Sequence, residues 1–351
     1  LENEYHAAYN DRPIIWADQS PGSRCFGDVY VVDGRYDDQY EHMSLFRSTD
    51  GGSSWSQPID VVPPFGWEGG FFTAEPRSLP DGTLVIGWDF VDDTQYPIAS
   101  GAIRATTSRD CGASFDPAVT VVDMGPSTLQ RSVFPGASFR THSNPDLAVD
   151  KRGTAYIVWP QYDSTTHRSL IWLSRSTNGT RSWSPPLAIS RPADGNAFNT
   201  SIGVSPSGRD ILISWANVIT SSSEPGSGLA TLGMLYAISH DGGATFSLDQ
   251  LSSATGDPDG STGLTGSDLF NPLRRQFVGD FNQTTVSDVN GAVRATVVWT
   301  DVRNAVACPA VDAYRDAWRA GEHPAPPDPR TACPAGFANT DIYSRTITLR
   351  G

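Results

Sequence analysis

The sequence predicts an all-β fold, a β-propeller of four-stranded antiparallel blades, on three observations. A short turn box recurs along the chain. A second, β-rich repeat runs out of phase with it. The composition, with 33 Gly, 26 Pro, 10 Trp and 15 Phe, suits a turn-rich chain with aromatic packing between its blades.

The box first appears in "SLFRSTDGGSSWSQP" (Ser44 to Pro58) and returns in "TTSRDCGASFDP", "SRSTNGTRSWSPP" and "ISHDGGATFS". Its pattern is Ser, any residue, Asp or Asn, two turn residues, two more, then Trp or Phe. The copies lie roughly 60 to 70 residues apart, which marks one supersecondary unit per repeat. Asp50 can accept hydrogen bonds from its own turn, and Gly51 and Gly52 can take positive φ at little cost. The boxes therefore read as folding staples rather than catalytic motifs.

The second repeat comprises "GDVYVVDGRY", "GTLVIGWDF", "GTAYIVWPQYD", "GRDILISWAN" and "AVRATVVWTDVRN", each preceded by a short strand and a turn. Each unit reads strand, turn, strand, polar loop, strand, box, strand. Five blades are read directly, and the pattern leaves room for a sixth. The last unit has three strands and no box, so "LENEYHAAY" is expected to supply its fourth strand and close the ring. The whole chain, 1–351, reads as one propeller domain.

Cys308 and Cys333 bracket an irregular stretch and are expected to pair, closing an insertion over 304–338 within the last blade. Such a bridge would contribute roughly 3 kcal/mol on the chain-entropy model. Cys25 and Cys111 would then tie the first blade to the box of the second. Two disulfides suit an oxidising compartment and a secreted protein. A net charge of −14 argues against nucleic acid as a partner. No apolar run approaches the roughly 20 residues of a membrane span. No signal peptide remains, so the chain reads as mature or trimmed. A monomer is expected.

Strand order sorts the polar residues. The start of strand one and the end of strand two share one end of a blade; the boxes follow strand three and lie at the other. The mouth end thus gathers Asp11, Arg12, Asp37, Asp38, Glu75, Arg77, Asp146, Asp280 and Arg303, with Trp88, Trp159, Trp215 and Trp299 just before its loops. Carboxylates, guanidiniums and aromatics converging on one opening suit a carbohydrate or glycoconjugate.

The boxes at Ser48, Ser108, Ser176 and Ser239 resemble those of the sialidase superfamily, the Asp-box or BNR-repeat proteins, in its secreted bacterial form. The resemblance covers nearly the whole chain. In "DRPIIWAD…VYVVDGRYDD…LFRSTDGGSSW" it implies Arg12 as one arginine of a carboxylate-binding triad and Asp37 or Asp38 as acid/base. Arg275 and Arg303 are the candidates for the later arginines. The chain has only seven Glu and no Tyr at a strand-one start, where the superfamily's Tyr nucleophile and its Glu partner are needed. The expectation is therefore a glycoside hydrolase of non-sialic specificity working with two carboxylates, Glu75 and Asp38 leading and Asp11, Asp146 and Asp280 in reserve. The alternative is a non-catalytic propeller that binds glycan or protein. No cofactor is expected; Ca²⁺ at the acidic loops Asp37-Asp38 and Asp92-Asp93 is the minor reading.

Overall fold

In a computed structural model of the chain, five antiparallel sheets follow one another in sequence order and form a five-bladed β-propeller. The structure describes residues 9–37, 39–66, 69–92, 100–128, 134, 141–163, 165–220, 230–256, 273 and 278–350. Blade one comprises β1 (Tyr9–Ala17), β2 (Val29–Tyr36), β3 (Glu41–Ser48) and β4 (Ile59–Asp60). Blade two comprises β5 (Gly70–Ser78), β6 (Leu84–Asp92), β7 (Ser100–Ser108) and β8 (Val119–Gly125). Blade three comprises β9 (Asp146–Val149), β10 (Ala155–Asp163), β11 (Arg168–Ser176) and β12 (Leu187–Ala188). Blade four comprises β13 (Asn196–Val204), β14 (Ile211–Thr220), β15 (Ala230–Ser239) and β16 (Ser247–Gln250). Blade five has three described strands, β17 (Gln283–Val289), β18 (Ala292–Asp301) and β19 (Asp341–Arg350). Residues 1–8 of the expected closing strand "LENEYHAAY" lie outside the described residues, while Tyr9 begins β1, so a Tyr does stand at a strand-one start, contrary to the sequence expectation.

Inner strands β1, β5, β9, β13 and β17 pack against one another in that order. Side chains alternate along a strand, so each blade offers one face to the blade before it and one to the blade after. On β6, Ile86 and Trp88 join Tyr30, Met43 and Leu45 of blade one, while Val85 joins Leu147, Ile157 and Trp159 of blade three. Ile213 and Trp215 pack on Tyr156 and Ile171, and Trp299 packs with Leu212 and Met234. Trp88, Trp159, Trp215 and Trp299 are all buried, at most 3 % exposed. They are therefore inter-blade core and not sugar platforms at the mouth. Proximity to the loops along the chain did not reveal that these positions point sideways.

The register confirms the two ends. Tyr9, Tyr36 and Glu41 pair at one end of blade one, and Ala17, Val29 and Ser48 at the other. Each Ser-x-Asp/Asn turn follows the third strand at this second end, and all four share one hydrogen-bond scheme. Ser48 Oγ donates to Asp50 and accepts from Gly52 N–H, while Asp50 accepts from Ser54 N–H. The same bonds recur at Ser108/Asp110, Ser176/Asn178 and Ser239/Asp241. Two successive left-handed residues complete each turn. Where glycine is missing, Cys111 (φ 59°) and Thr180 (φ 63°) accept that conformation.

The Ser54 hydroxyl and N–H hold the Asp50 carboxyl down to about 2, and Thr245 acts likewise on Asp241. Such groups stabilise the fold above the ordinary carboxylate range, and their contribution is lost as pH falls through the depressed value. Asp241→Ala should lower Tm by about 2–6 °C and leave ligand affinity unchanged in the folded fraction. Thermal melts with binding isotherms check this; lost binding at unchanged Tm would contradict the separation of the two ends.

Both expected disulfides are present. Cys25–Cys111 joins blade one to the turn of blade two, with Cα atoms 5.6 Å apart. Cys308–Cys333 closes the stretch between β18 and β19, which carries helices α1 (Pro309–Arg319) and α2 (Pro329–Ala332). Val311 and Tyr314 of α1 pack with Cys308 and Leu273. No helix among the described residues is long and apolar enough to cross a membrane.

Candidate active site at the channel mouth

A pocket of about 70 Å³ opens where the five inner strands converge. It is lined by Ile14 from blade one, Thr73 and Glu75 from β5, Asn144 and Asp146 at the start of β9, Asn199 from β13, and Asp280 and Asn282 ahead of β17. Three of the sequence-selected carboxylates, Glu75, Asp146 and Asp280, thus meet around one opening.

Backbone bulges shape this rim. The register slips between Asp11 and Ile14 on β1, between Phe71 and Ala74 on β5, and between Phe198 and Thr200 on β13. A bulge re-aims the next side chains and leaves N–H groups without ladder partners. On β5 the buried Asp89 accepts both, from Phe72 (3.1 Å) and Thr73 (2.9 Å). Burial nevertheless raises its carboxyl to about 6. The fold thus holds a proton on Asp89 more tightly than the unfolded chain does. Its contribution to stability is present at pH 4 and falls away as pH rises to about 6. Asp89→Asn should flatten that decline, as read from urea midpoints at pH 4, 5, 6 and 8; an unchanged slope would show that the ionised form is well accommodated.

Glu75 and Arg77 lie two apart on β5 and form an ion pair at 3.0 Å. Arg77 also reaches Asp146 at 3.1 Å and donates to the Pro76 carbonyl. Asp146 further accepts from its neighbour Leu147 N–H, from the Ser201 hydroxyl (2.7 Å) and from Ile202 N–H. The Thr284 N–H donates to Ser201 Oγ, and Trp16 Nε1 donates to Ser78 Oγ. These contacts form a belt from blade one to blade five around the inner strands. Asp146 is fully engaged in it and is a structural clasp. Burial drives Glu75 up to about 7; Arg77 opposes the rise and the charge of Asp146 adds to it.

Arg12 does not open onto the mouth pocket. Its left-handed backbone (φ 64°) turns the guanidinium toward Glu41 (2.8 Å), the Tyr36 hydroxyl and the Phe71 carbonyl (2.6 Å). Tyr36 donates to Glu41 at 2.5 Å. Neither Tyr36 nor Glu41 was selected from the sequence. They lie at the end of strand two and the start of strand three, and only the β2–β3 register brings them to Arg12. Burial raises the Glu41 carboxyl even against the pull of Arg12. Asp11 is an exposed partner of Arg12 at 3.5 Å.

Asp37 accepts the N–H groups of Gln39 and Tyr40 and pairs with His42 at 2.9 Å. The Gln39 N–H, then His42, hold its carboxyl down to about 2. It is an ionised loop anchor, poorly suited to donate a proton. Arg303 is bound by both oxygens of Asp301 (2.8 and 2.7 Å) and stacks on Tyr343. Asp38, Asp93 and Arg275 lie outside the described residues.

No protein-family profile and no curated protein matches the sequence. Solved structures do match. The GH93 α-L-arabinofuranosidase of Fusarium graminearum with arabinobiose is 15% identical, over 87% of this chain and 84% of that one, at a TM-score of 0.51. A mutant α-L-arabinofuranosidase from the same organism, with an iminosugar inhibitor, is 15% identical over 83% and 76%, at 0.50. A mutant of the NanB sialidase of Streptococcus pneumoniae is 10% identical over 83% and 56%, at 0.47. At such identities the arabinofuranosidases share the β-propeller fold with this chain, and that is the extent of the kinship they show.

Proposed function

We propose that the protein is a secreted glycoside hydrolase acting from the channel mouth, with Glu75 as proton donor and Asp280 as the second carboxylate. One observation carries the reading: Glu75 is a buried carboxyl in the shared opening, raised to about 7 and so able to hold a proton near neutrality. Glycoside hydrolysis needs such an acid on the leaving oxygen and a second carboxylate as nucleophile or as base for water. Asp146 accepts four hydrogen bonds and Asp37 is tied into its own loop away from this opening, whereas Asp280 lines the same opening as Glu75 and takes that role in this reading. The arabinofuranosidases of the same fold support the reaction class, and the two disulfides support secretion.

The second reading is a glycan-binding propeller without turnover, favoured by the Glu75–Arg77 ion pair, which would keep Glu75 ionised. The test is a panel of aryl glycosides and oligosaccharides, including α-L-arabinofuranosides and sialosides, scored for both cleavage and retention. Retention without cleavage of any member would overturn the hydrolase reading.

A further inference from the structure

We propose that the mouth reads an uncharged, hydroxyl-rich sugar terminus through Thr73 Oγ1 and Asn144 Oδ1. The inference rests on the mouth being the glycan site. Thr73 is 2% and Asn144 7% exposed, and both line the pocket. Neither Thr73 Oγ1 nor Asn144 Oδ1 has a hydrogen-bond partner among the described residues. Buried polar atoms in folded proteins almost always find partners, so two orphans on residues that line one opening call for an outside group. A carboxamide oxygen needs a donor, and a threonine hydroxyl both gives and accepts. Neighbouring sugar hydroxyls, each donor and acceptor at once, satisfy both.

Charge selects against an acidic ligand. Among the described residues the lining itself holds no arginine or lysine, and Arg77, behind it, is already shared between Glu75 and Asp146. Arg12 is likewise committed to Glu41. The lining therefore sets three carboxyl groups, Glu75, Asp146 and Asp280, beside cations that have no bidentate face to offer a ligand carboxylate. An incoming carboxylate would meet like charge and leave its own oxygens poorly solvated. The volume of about 70 Å³ admits the edge of one ring rather than a whole sugar, so the terminus alone is read here.

The experiment measures binding of methyl α-L-arabinofuranoside, methyl β-D-galactoside, methyl β-D-glucuronide and methyl α-N-acetylneuraminide. The proteins are wild type, Thr73→Val, Thr73→Ser and Asn144→Ala, each checked for an intact melting transition. At least one neutral glycoside should bind about tenfold or more tightly than either acidic one. Thr73→Val and Asn144→Ala should each weaken it about tenfold, the scale of one lost hydrogen bond to a buried partner. Thr73→Ser should bind about fivefold or more tightly than Thr73→Val. Tighter binding of an acidic glycoside, equal binding by all variants, or no binding of any neutral glycoside would overturn the proposal. Cleavage is scored separately on the same compounds. Hydrolysis of an acidic glycoside would overturn this inference and leave the hydrolase reading standing. Neutral binding that depends on Thr73, with no cleavage, would do the reverse.

Discussion

Glu75→Gln is expected to cut glycoside turnover by about 10³-fold, within the range a positioned general acid contributes. Glutamine keeps the shape and can still accept from Arg77, but it has no proton to give to a leaving alkoxide. The loss should therefore depend on the leaving group, severe for an alkyl glycoside and mild for a nitrophenyl one, whose oxygen departs without protonation. In the wild type kcat/KM should fall as pH rises past about 7, because the working form of Glu75 is the protonated one. That limb should vanish in the variant. Stability should move the other way. Burial raises Glu75, so its ionisation costs the folded state stability between the ordinary carboxylate range and about 7. The uncharged amide escapes this cost, and the Tm of Glu75→Gln at pH 8 should match or exceed that of the wild type. Retained turnover, or a collapse in Tm that accounts for lost turnover, would remove Glu75 from the reaction.

Asp146→Ala should produce the largest loss of stability of any single change at the mouth, about 3–5 kcal/mol, the range for removing one partner of a buried ion pair. The deletion leaves the Arg77 guanidinium with one counter-charge, strips the Ser201 hydroxyl of its acceptor and orphans the Ile202 N–H. Those groups come from blades two and four, so the damage falls on both sides of blade three. Asp146→Asn keeps an oxygen for blade four and should lose less. Urea unfolding of the two variants decides the matter. Equal midpoints for Asp146→Ala and wild type would show that the contacts follow the fold without holding it.

Much of the architecture could be read from residue patterns because propeller blades are built from local rules. Alternation marks the strands, and Ser-x-Asp with two left-handed residues marks the turns. Strand order alone separates the turn end from the mouth. The cysteine pairing also followed, since an irregular stretch flanked by Cys308 and Cys333 leaves Cys25 and Cys111 for each other. The site was legible only as a neighbourhood. Glu75 and Asp280 could be placed at the opening by their position in the unit. Whether a carboxylate there is free or spent depends on partners far away in sequence. Asp146 meets Ser201 across 55 residues, and Arg12 meets Glu41 across 29. Asp37 is spent on its own loop, a bond pattern that short polar runs adopt too readily to be diagnostic. Thr73 carries no signal in the sequence at all, because its meaning comes from a bulge that Asp89 holds open. The tryptophans misled for a related reason: alternation gives the side of the strand, and only the neighbouring blade says whether that side is covered.

The belt around the inner strands bears on how this protein comes apart. In linear repeat proteins each unit answers chiefly to its neighbours, and unfolding can spread one repeat at a time. Here the groups that join blades are buried charges and their hydrogen-bond partners, handed from Trp16 and Ser78 to Arg77, Asp146, Ser201 and Thr284. Detaching blade two, three or four strands the Arg77 guanidinium or the Asp146 carboxylate, and detaching blade one or five breaks a buried neutral hydrogen bond, so partly opened states are penalised at every break. The belt thereby converts a chain of similar units into one that melts as a single body. Tolerance to substitution should follow the same division, with the turns absorbing change locally while the inner strands pass a local defect to the whole ring.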